Sequence, residues 1–287
     1  MKNFLSQLGK AICYFLLFVG TQSLVISAYM FVCGIQLGVE SAVSGAELDA
    51  DAMAVAMTED VYSNLNLILI IAGCLTILLL WIVFRCRKKK LLAETGIRTF
   101  SIKYVPVIAL LGIGLAAVVT FVLGMLPEEM LEAYAEESQY ITGSDTGITL
   151  TVILSNMIIA PVVEELIFRG LILSRLKRAV PVVWAVVISS AIFGLAHGQI
   201  IWMAYAFVLG VVLSVVAIRT ESVAAAILLH AVFNVFGTVI PTVCEDCSTA
   251  VMGAIAAVGA VAMVISLYII VKQSFHEKTD NATVVTE

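Results

Sequence analysis

Charged residues and prolines are scarce in this chain. Only 13% of its 287 residues are Asp, Glu, Lys or Arg, and it contains 5 prolines. Hydrophobic residues make up 61% of the chain and the mean hydropathy is +1.08, which is more apolar surface than one soluble core can bury. The net charge of -5 gives no reason to expect a nucleic-acid partner. The composition therefore predicts an integral membrane protein.

The alternating segments of about ten residues that are typical of a membrane β-barrel are absent. Several uncharged runs instead reach the roughly 20 residues that a helix needs to cross a bilayer. Because lipid offers backbone amides no partners, these runs predict an all-α, polytopic membrane bundle of about eight transmembrane helices. The predicted spans are residues 11–35, 64–84, 104–126, 148–177, 181–198, 200–218, 222–240 and 249–271.

Positive charge lies at one end of the predicted spans. Of the 16 Lys and Arg residues, only Arg169 falls within a span and away from its ends. Since Lys and Arg accumulate on the cytoplasmic side, both termini are predicted to be cytoplasmic, in a multi-pass plasma-membrane protein. The segments 40–61 and 127–146 contain acidic residues without Lys or Arg, and we expect solvated outer loops there. The mixed stretch 91–103 is expected to lie along the inner membrane surface.

Three regions follow from this pattern. Residues 1–103 are predicted to form a two-helix region with a basic cytoplasmic connector, residues 104–272 a core bundle, and residues 273–287 a polar cytoplasmic tail in which His276 is solvated. The apolar run at 11–35 is too long for a cleaved signal peptide and lacks a clear cleavage site, so we interpret it as a retained first span.

The six cysteines are scattered, and only Cys244 and Cys247 form a close pair. A disulfide between them is plausible if their loop faces an oxidising exterior. A zinc site is less favoured, because no second Cys or His pair lies nearby in the sequence.

Ionisable residues inside a span are costly, so their positions are informative. The fourth span contains Glu164, Glu165 and Arg169. Glu165 and Arg169 are one helical turn apart and are predicted to pair, while Glu164 projects about 100° away around the helix axis. One carboxylate is therefore expected to be held by Arg169 and the other to be free, although the allocation between the two glutamates stays open.

Two further pairs of residues occur in later spans. Phe193 and His197 lie four residues apart in the fifth span, and His230 and Asn234 share one face of the seventh. Polar residues of these kinds often bind membrane helices together, which is the structural alternative for each residue taken alone. The whole set favours a functional site in the membrane.

Hydrolysis is the chemistry that suits these side chains. Glu164, assisted by His197, is predicted to take a proton from water. Neutral donors on His230 and the Asn234 amide are predicted to stabilise the oxyanion that develops. Supporting positions are Arg169 and Phe193.

Three alternatives remain open. Glu164, His197 and His230 are a legitimate zinc ligand set, although the sequence lacks H-E-x-x-H. A proton-coupled transporter could use the glutamates as a relay, although the chain has no visible repeat or paired interrupted spans. A non-catalytic scaffold that binds partner helices would leave function intact in Glu164→Ala.

The same residues resemble those of the CAAX-processing and bacteriocin-processing intramembrane endopeptidases, which include the type II CAAX prenyl endopeptidase. The matching pieces are E-E-x-x-x-R from Glu164, F-x-x-x-H from Phe193 and H-x-x-x-N from His230. They follow the family's order and cover mainly residues 148–240. Three ordered motifs on separate spans are more specific than any one of them.

The resemblance implies an eight-helix bundle with a cytosol-facing cavity. It implies that Glu164 and His197 activate water and that His230 and Asn234 bind the oxyanion. No cofactor is expected, although zinc stays possible because the family has also been described as metalloproteases. The implied partners are the lipid bilayer and a membrane-associated peptide or protein substrate. We expect that substrate to be unprenylated, because the charged loops are typical of a bacterial plasma-membrane protein.

Overall fold

The structure is a computed structural model that describes residues 2–45, 49–142 and 148–272. The predicted tail at 273–287, with His276, lies outside the described residues. Within them the all-α prediction is confirmed, and a single 3₁₀ turn, Ile102–Tyr104, accompanies the helices. The helices are α1 (Lys2–Ser44), α2 (Ala50–Ser63), α3 (Leu65–Cys86), α4 (Leu91–Thr95), α5 (Val105–Leu123), α6 (Glu128–Thr142), α7 (Leu150–Leu176), α8 (Val182–Leu195), α9 (Ile200–Arg219), α10 (Val223–Val243) and α11 (Thr249–Lys272).

In the part of the chain that the structure describes, seven helices are long and apolar enough to cross a membrane. These are α1, α3, α5, α7, α9, α10 and α11. The remaining predicted span, 181–198, corresponds to α8, which has 14 residues. At about 1.5 Å of rise per residue, α8 covers only about 21 Å, less than the hydrocarbon core of a bilayer. The chain is a multi-pass membrane protein.

The two segments predicted to be outer loops contain helices. α2 begins within 40–61 and ends at Ser63, and the Asp49 side chain accepts a hydrogen bond from the Asp51 amide and caps the helix. The first span also extends beyond its predicted limits, because α1 has 43 residues. Tyr29 on α1 donates a hydrogen bond to Asp60 on α2 across 2.8 Å. Many of the acidic residues of these segments, such as Asp51, Glu128 and Glu129, thus lie on helices rather than on irregular chain.

The bundle has two chemically different ends. The basic end carries α4 and the residues around it, where the Glu94 carboxylate accepts hydrogen bonds from Lys89 across 2.7 Å and Arg175 across 3.3 Å. The acidic end carries α2, α6 and the turn after α10. Cys244 and Cys247 lie in that turn as free thiols. The other basic residues of the basic end are Arg85, Arg87, Lys88, Lys90, Arg98, Lys103, Lys177, Arg178, Arg219 and Lys272.

The predicted surface stretch 91–103 packs against the bundle. The Val223 amide donates to the Gly96 carbonyl, and Ser222 donates to the carbonyl of Arg98. Thr95 is 1% exposed because it packs on Gly170 of α7, where an added Cβ would lie 2.8 Å from the Thr95 carbonyl oxygen. This stretch therefore closes the basic end of the bundle.

Glycines let α5 approach its neighbours. An added Cβ on Gly114 would overlap the Gly259 carbonyl of α11, and one on Gly112 would lie 2.8 Å from Val232 of α10. Small residues at helix contacts are typical of membrane bundles, because packing rather than the hydrophobic effect joins the helices. α5, α10 and α11 consequently form a tight group behind the site.

Candidate active site

The site is built on α7, which is not a regular α-helix. Two π-helical segments, Ile153–Ile159 and Leu166–Leu173, flank the α-helical turn that carries the glutamates. Pro161 has no amide hydrogen to offer the carbonyl five residues earlier, which is that of Asn156. Asn234 of α10 donates its side-chain amide to this carbonyl across 2.7 Å. The helix thus gives up one of its own hydrogen bonds and gains one to α10.

Glu165 faces the packed side of α7 and is 0% exposed. Its Oε1 accepts hydrogen bonds from Arg169 Nη1 across 2.8 Å and from His230 Nδ1 across 2.9 Å. Arg169 also donates to the Gly210 carbonyl across 3.1 Å and lies 4.2 Å over the Phe193 ring. The predicted pairing of Glu165 with Arg169 is confirmed. Glu165 additionally holds the His230 ring through this hydrogen bond.

Glu164 faces the cavity, as its position about 100° around the helix from Glu165 predicts. Its side chain is 19% exposed, and its Oε2 lies 3.8 Å from Nε2 of His230. The imidazole of His230 therefore lies between the two carboxylates, with one ring nitrogen toward each. His230 therefore links Glu165, which is paired with Arg169, to Glu164, which faces the cavity.

His197 lies just beyond α8, whereas the sequence places it within a span. α8 ends at Leu195, and Gly198 adopts the left-handed conformation with φ +76° that turns the chain. The side chain of Gln199 then caps α9 by accepting hydrogen bonds from the backbone amides of Ile201 and Trp202. His197 Nδ1 lies 2.8 Å from the Phe193 carbonyl, and its ring packs edge-on against that phenyl ring.

The hydrogen bonds assign the tautomers. A carbonyl only accepts, so Nδ1 of His197 carries the hydrogen and Nε2 of the neutral ring has a free lone pair. The same holds for His230, because the Glu165 carboxylate that is paired with Arg169 also only accepts. His230 can therefore donate from Nε2 only when it is protonated. This differs from the expectation that His230 acts as a neutral donor.

Four of the predicted site residues line one cavity of about 250 Å³: Glu164, His197, His230 and Asn234. Glu165 and Arg169 lie behind this wall, and Phe193, which is 0% exposed, packs between the two histidines. The structure thus brings the predicted residues together in two layers. Their catalytic roles remain predictions.

Other lining residues were missed in the sequence. Asn156 is two helical turns before Glu164, and this spacing in an apolar run is a signal that could have identified it. Tyr134, Trp202 and Tyr205 are aromatic residues without a distinctive spacing. Gln22 reaches the cavity from α1, and its Oε1 is buried without a hydrogen-bond partner among the described residues.

The zinc alternative depends on the geometry of the side chains. Across the described ranges, no group of three or more His, Cys, Asp or Glu residues is arranged to hold a metal ion. Glu164, His197 and His230 share the cavity but, as placed, do not fit a zinc ligand set. We therefore assign no step to a metal.

Comparison with known proteins agrees with the motifs. Residues 146–236 match the family model described as "Type II CAAX prenyl endopeptidase Rce1-like". The predicted family resemblance is confirmed. The matched segment runs from the start of α7 into α10 and contains all of Glu164, His197, His230 and Asn234. No solved structure matches the chain significantly.

A Bacillus subtilis relative also matches part of the chain. It is named "Putative membrane peptidase YdiL" and is 29% identical over 102 residues, which is 36% of this chain. The aligned part spans 41% of the length of that relative. The family-model match thus covers the region of the site.

Proposed function

We propose that this chain is an intramembrane endopeptidase that hydrolyses a peptide bond of a membrane-associated protein or peptide. One observation carries the proposal: Glu164, His197, His230 and Asn234 line the same cavity in the middle of the bundle. The match of residues 146–236 to an endopeptidase family supports the same reaction class.

Glu164 is the best-placed general base. It is the carboxylate that reaches the cavity, whereas both bonds to Glu165 Oε1 hold that side chain in place. Glu164 takes a proton from water, and the water oxygen bonds to the peptide carbonyl carbon. His197, whose Nε2 lone pair is free in the neutral ring, accepts a hydrogen bond from the same water. When the C–N bond breaks, the proton passes to the leaving amine.

His230 and Asn234 stabilise the oxyanion. A His230 imidazolium donates from Nδ1 to Glu165 and from Nε2 into the cavity, and Glu164 lies close enough to stabilise its charge. Asn234 uses one of its two amide hydrogens on the Asn156 carbonyl and keeps the other for substrate. Fixed donors of this kind are worth more in a water-poor site than in solvent.

The shape of the cavity favours a site over a transport path. Phe168, Ile167 and Leu171 lie below Glu164 on α7 and are at most 1% exposed. Phe168 packs edge-on against Phe193, with ring centroids 5.0 Å apart. This layer ends the cavity in the middle of the bundle, which suits a pocket that receives substrate from one end.

Cleavage of a quenched fluorogenic peptide library by the protein in proteoliposomes tests the proposal. We expect Glu164→Gln to lower cleavage by about 10²-fold or more, the usual contribution of a general base. Glu59→Gln on the exposed surface of α2 is the matched control and should cleave normally. Unchanged cleavage by Glu164→Gln would refute the assignment. Loss of cleavage on chelation, restored by zinc, would support a metalloprotease with the same residues.

A further inference from the structure

The cavity lies in one half of the bundle, which bears on how substrate reaches Glu164. On α3 it is lined by Leu69 and Gly73, near the start of that helix. On α5, which runs in the opposite direction, it is lined by residues near the end, such as Thr120 and Leu123. On α10 it continues past Asn234 to Gly237 and Thr238. All of these positions lie on the side of Glu164 that faces the acidic end.

The opposite half of the bundle is closed. The packed layer formed by Ile167, Phe168 and Leu171 lies directly below the site, and α4 covers α7 beyond it through the contact of Thr95 with Gly170. None of these five residues lines the cavity. A route from the basic end would require this layer to separate.

α6 lies across the acidic end of the cavity. Its residues Tyr134, Ser138 and Ile141 line the cavity wall. Asn156 donates its side-chain amide to the Ile141 carbonyl across 2.6 Å, and the Tyr134 ring packs edge-on against Trp202 of α9. These contacts join α6 to the helices on either side of the opening. α6 therefore covers the cavity through a few side-chain contacts, whereas the layer at the basic end is part of the core.

We propose that substrate reaches the site from the acidic end, past α6. Lys and Arg place the basic end in the cytoplasm, so the acidic end faces the exterior. The substrate class is then a peptide, or a segment of a membrane protein, exposed on the outer side of the membrane. This rests on the proposed peptidase function and differs from the cytosol-facing cavity that the family resemblance implies.

Single-cysteine labelling in right-side-out and inverted vesicles tests the route without requiring activity. In a background with the six native cysteines replaced by Ser, Thr238→Cys and Thr120→Cys report the cavity. Cys247 and Cys86, each restored alone, report the acidic and basic ends and are at least partly exposed. The reagent is a small, charged, membrane-impermeant methanethiosulfonate.

We expect the cavity cysteines to react in the same vesicle orientation as Cys247, at least tenfold faster than in the other orientation. We also expect Cys247 to react in right-side-out vesicles and Cys86 in inverted ones. Reaction of the cavity cysteines together with Cys86, or from neither side, would overturn the proposal. So would reaction of Cys86 in right-side-out vesicles.

A sided cleavage assay separates this inference from the proposed function. The fluorogenic peptide library is added outside proteoliposomes in which the protein has been selected for one orientation by an affinity tag. Cleavage only with the acidic end outward supports the route. Cleavage only with the basic end outward overturns the route and leaves the peptidase function standing. Absence of cleavage in both orientations refutes the peptidase function, and the labelling result then decides the route.

Discussion

The two faces of α7 differ although they carry the same kind of residue. Glu164 and Glu165 are neighbours in the chain, yet one carboxylate is 19% exposed in a cavity and the other is fully buried. On the packed face, Arg169 and His230 both bind Glu165, and aromatic rings fill the surrounding space. On the cavity face, the ring nitrogen of His230, 3.8 Å from Glu164, is the ionisable atom that the described residues place within ion-pair distance.

The difference shows how a membrane protein can place a reactive carboxylate beside a structural one. A turn of about 100° between adjacent helical residues separates the two environments. The packed face fixes His230, and His230 then presents its second nitrogen to the cavity face. Substitutions on the packed face should therefore change stability, and those on the cavity face should change activity. The following predictions test this division.

The largest effect is expected from Arg169→Met. Removing the guanidinium leaves the Glu165 carboxylate buried without its cation, and loss of one partner of a buried pair costs about 3–5 kcal/mol. Unfolding of the protein in mixed micelles should show this loss. Arg175→Met is the matched control, because its partner Glu94 is 24% exposed and also binds Lys89. A loss for Arg169→Met no larger than for Arg175→Met would contradict a structural role for the buried pair.

Gly170→Ala should have the next largest effect. An added Cβ would lie 2.8 Å from the Thr95 carbonyl oxygen and 2.9 Å from its Cβ, so α4 must move. Overpacking of this kind costs about 1–3 kcal/mol in the free energy of unfolding. Gly237 of α10 lines the cavity, and Gly237→Ala meets nothing within 4 Å and should be neutral or slightly stabilising. Equal unfolding free energies for the two variants would show that the cavity wall is packed as tightly as the contact of α7 with α4.

Asn234→Ala should produce a smaller loss of stability and a separate loss of activity. The Asn156 carbonyl, which Pro161 deprives of a helical donor, would lose its hydrogen bond to α10. Interhelical hydrogen bonds in membranes contribute about 1 kcal/mol. Thr242→Ala is the control, since Thr242 bonds only to a carbonyl of its own helix. If the unfolding free energy and the cleavage rate of Asn234→Ala both match those of the control, Asn234 neither joins α10 to α7 nor contributes to cleavage.

Glu94 should give the smallest effect, and it depends on pH. The hydrogen bond from Lys89, together with the charges of Lys89 and Arg175, lowers the pKa of the Glu94 carboxyl. Because the pKa of Glu94 is lower in the folded state than in the unfolded state, the ionised carboxylate stabilises the fold above about pH 5. This contribution is lost as the pH falls through the folded-state pKa. We expect a contribution below about 1 kcal/mol, measured as the difference in melting temperature between wild type and Glu94→Gln at pH 7 and at pH 3. A difference that grows on acidification would contradict the sign.

Much of this arrangement could be predicted from the sequence. The pairing of Glu165 with Arg169 follows from their spacing of four residues, and the different direction of Glu164 follows from the angle of about 100° between adjacent helical residues. The gathering of His197 and Asn234 around Glu164 agrees with the three ordered motifs. Residue charge and helical spacing are local properties of the sequence, and the packing of the helices does not change them.

Other features of the structure were not predicted, although two of them had local signals in the sequence. The position of His197 outside α8 depends on the left-handed Gly198 and the cap at Gln199, both of which were available in the sequence. The helix α6 was not predicted, because its acidic residues resemble those of a solvated loop. Tyr134 and Ser138, which line the cavity, are nevertheless four residues apart, as on one face of a helix. The part played by α1 through Gln22 depends on long-range packing and could not be predicted.

The π-helical segment Ile153–Ile159 has a consequence for how this protein can vary. Each hydrogen bond of such a segment spans one residue more than a hydrogen bond of an α-helix. Deleting one residue between Asn156 and Pro161 would restore ordinary pairing and leave Asn156 about two helical turns before Glu164. Deleting two residues would rotate Asn156 by about a further 100° relative to Glu164, so that Asn234 could no longer reach its partner. We therefore expect natural variants to lose at most the one extra residue from this stretch.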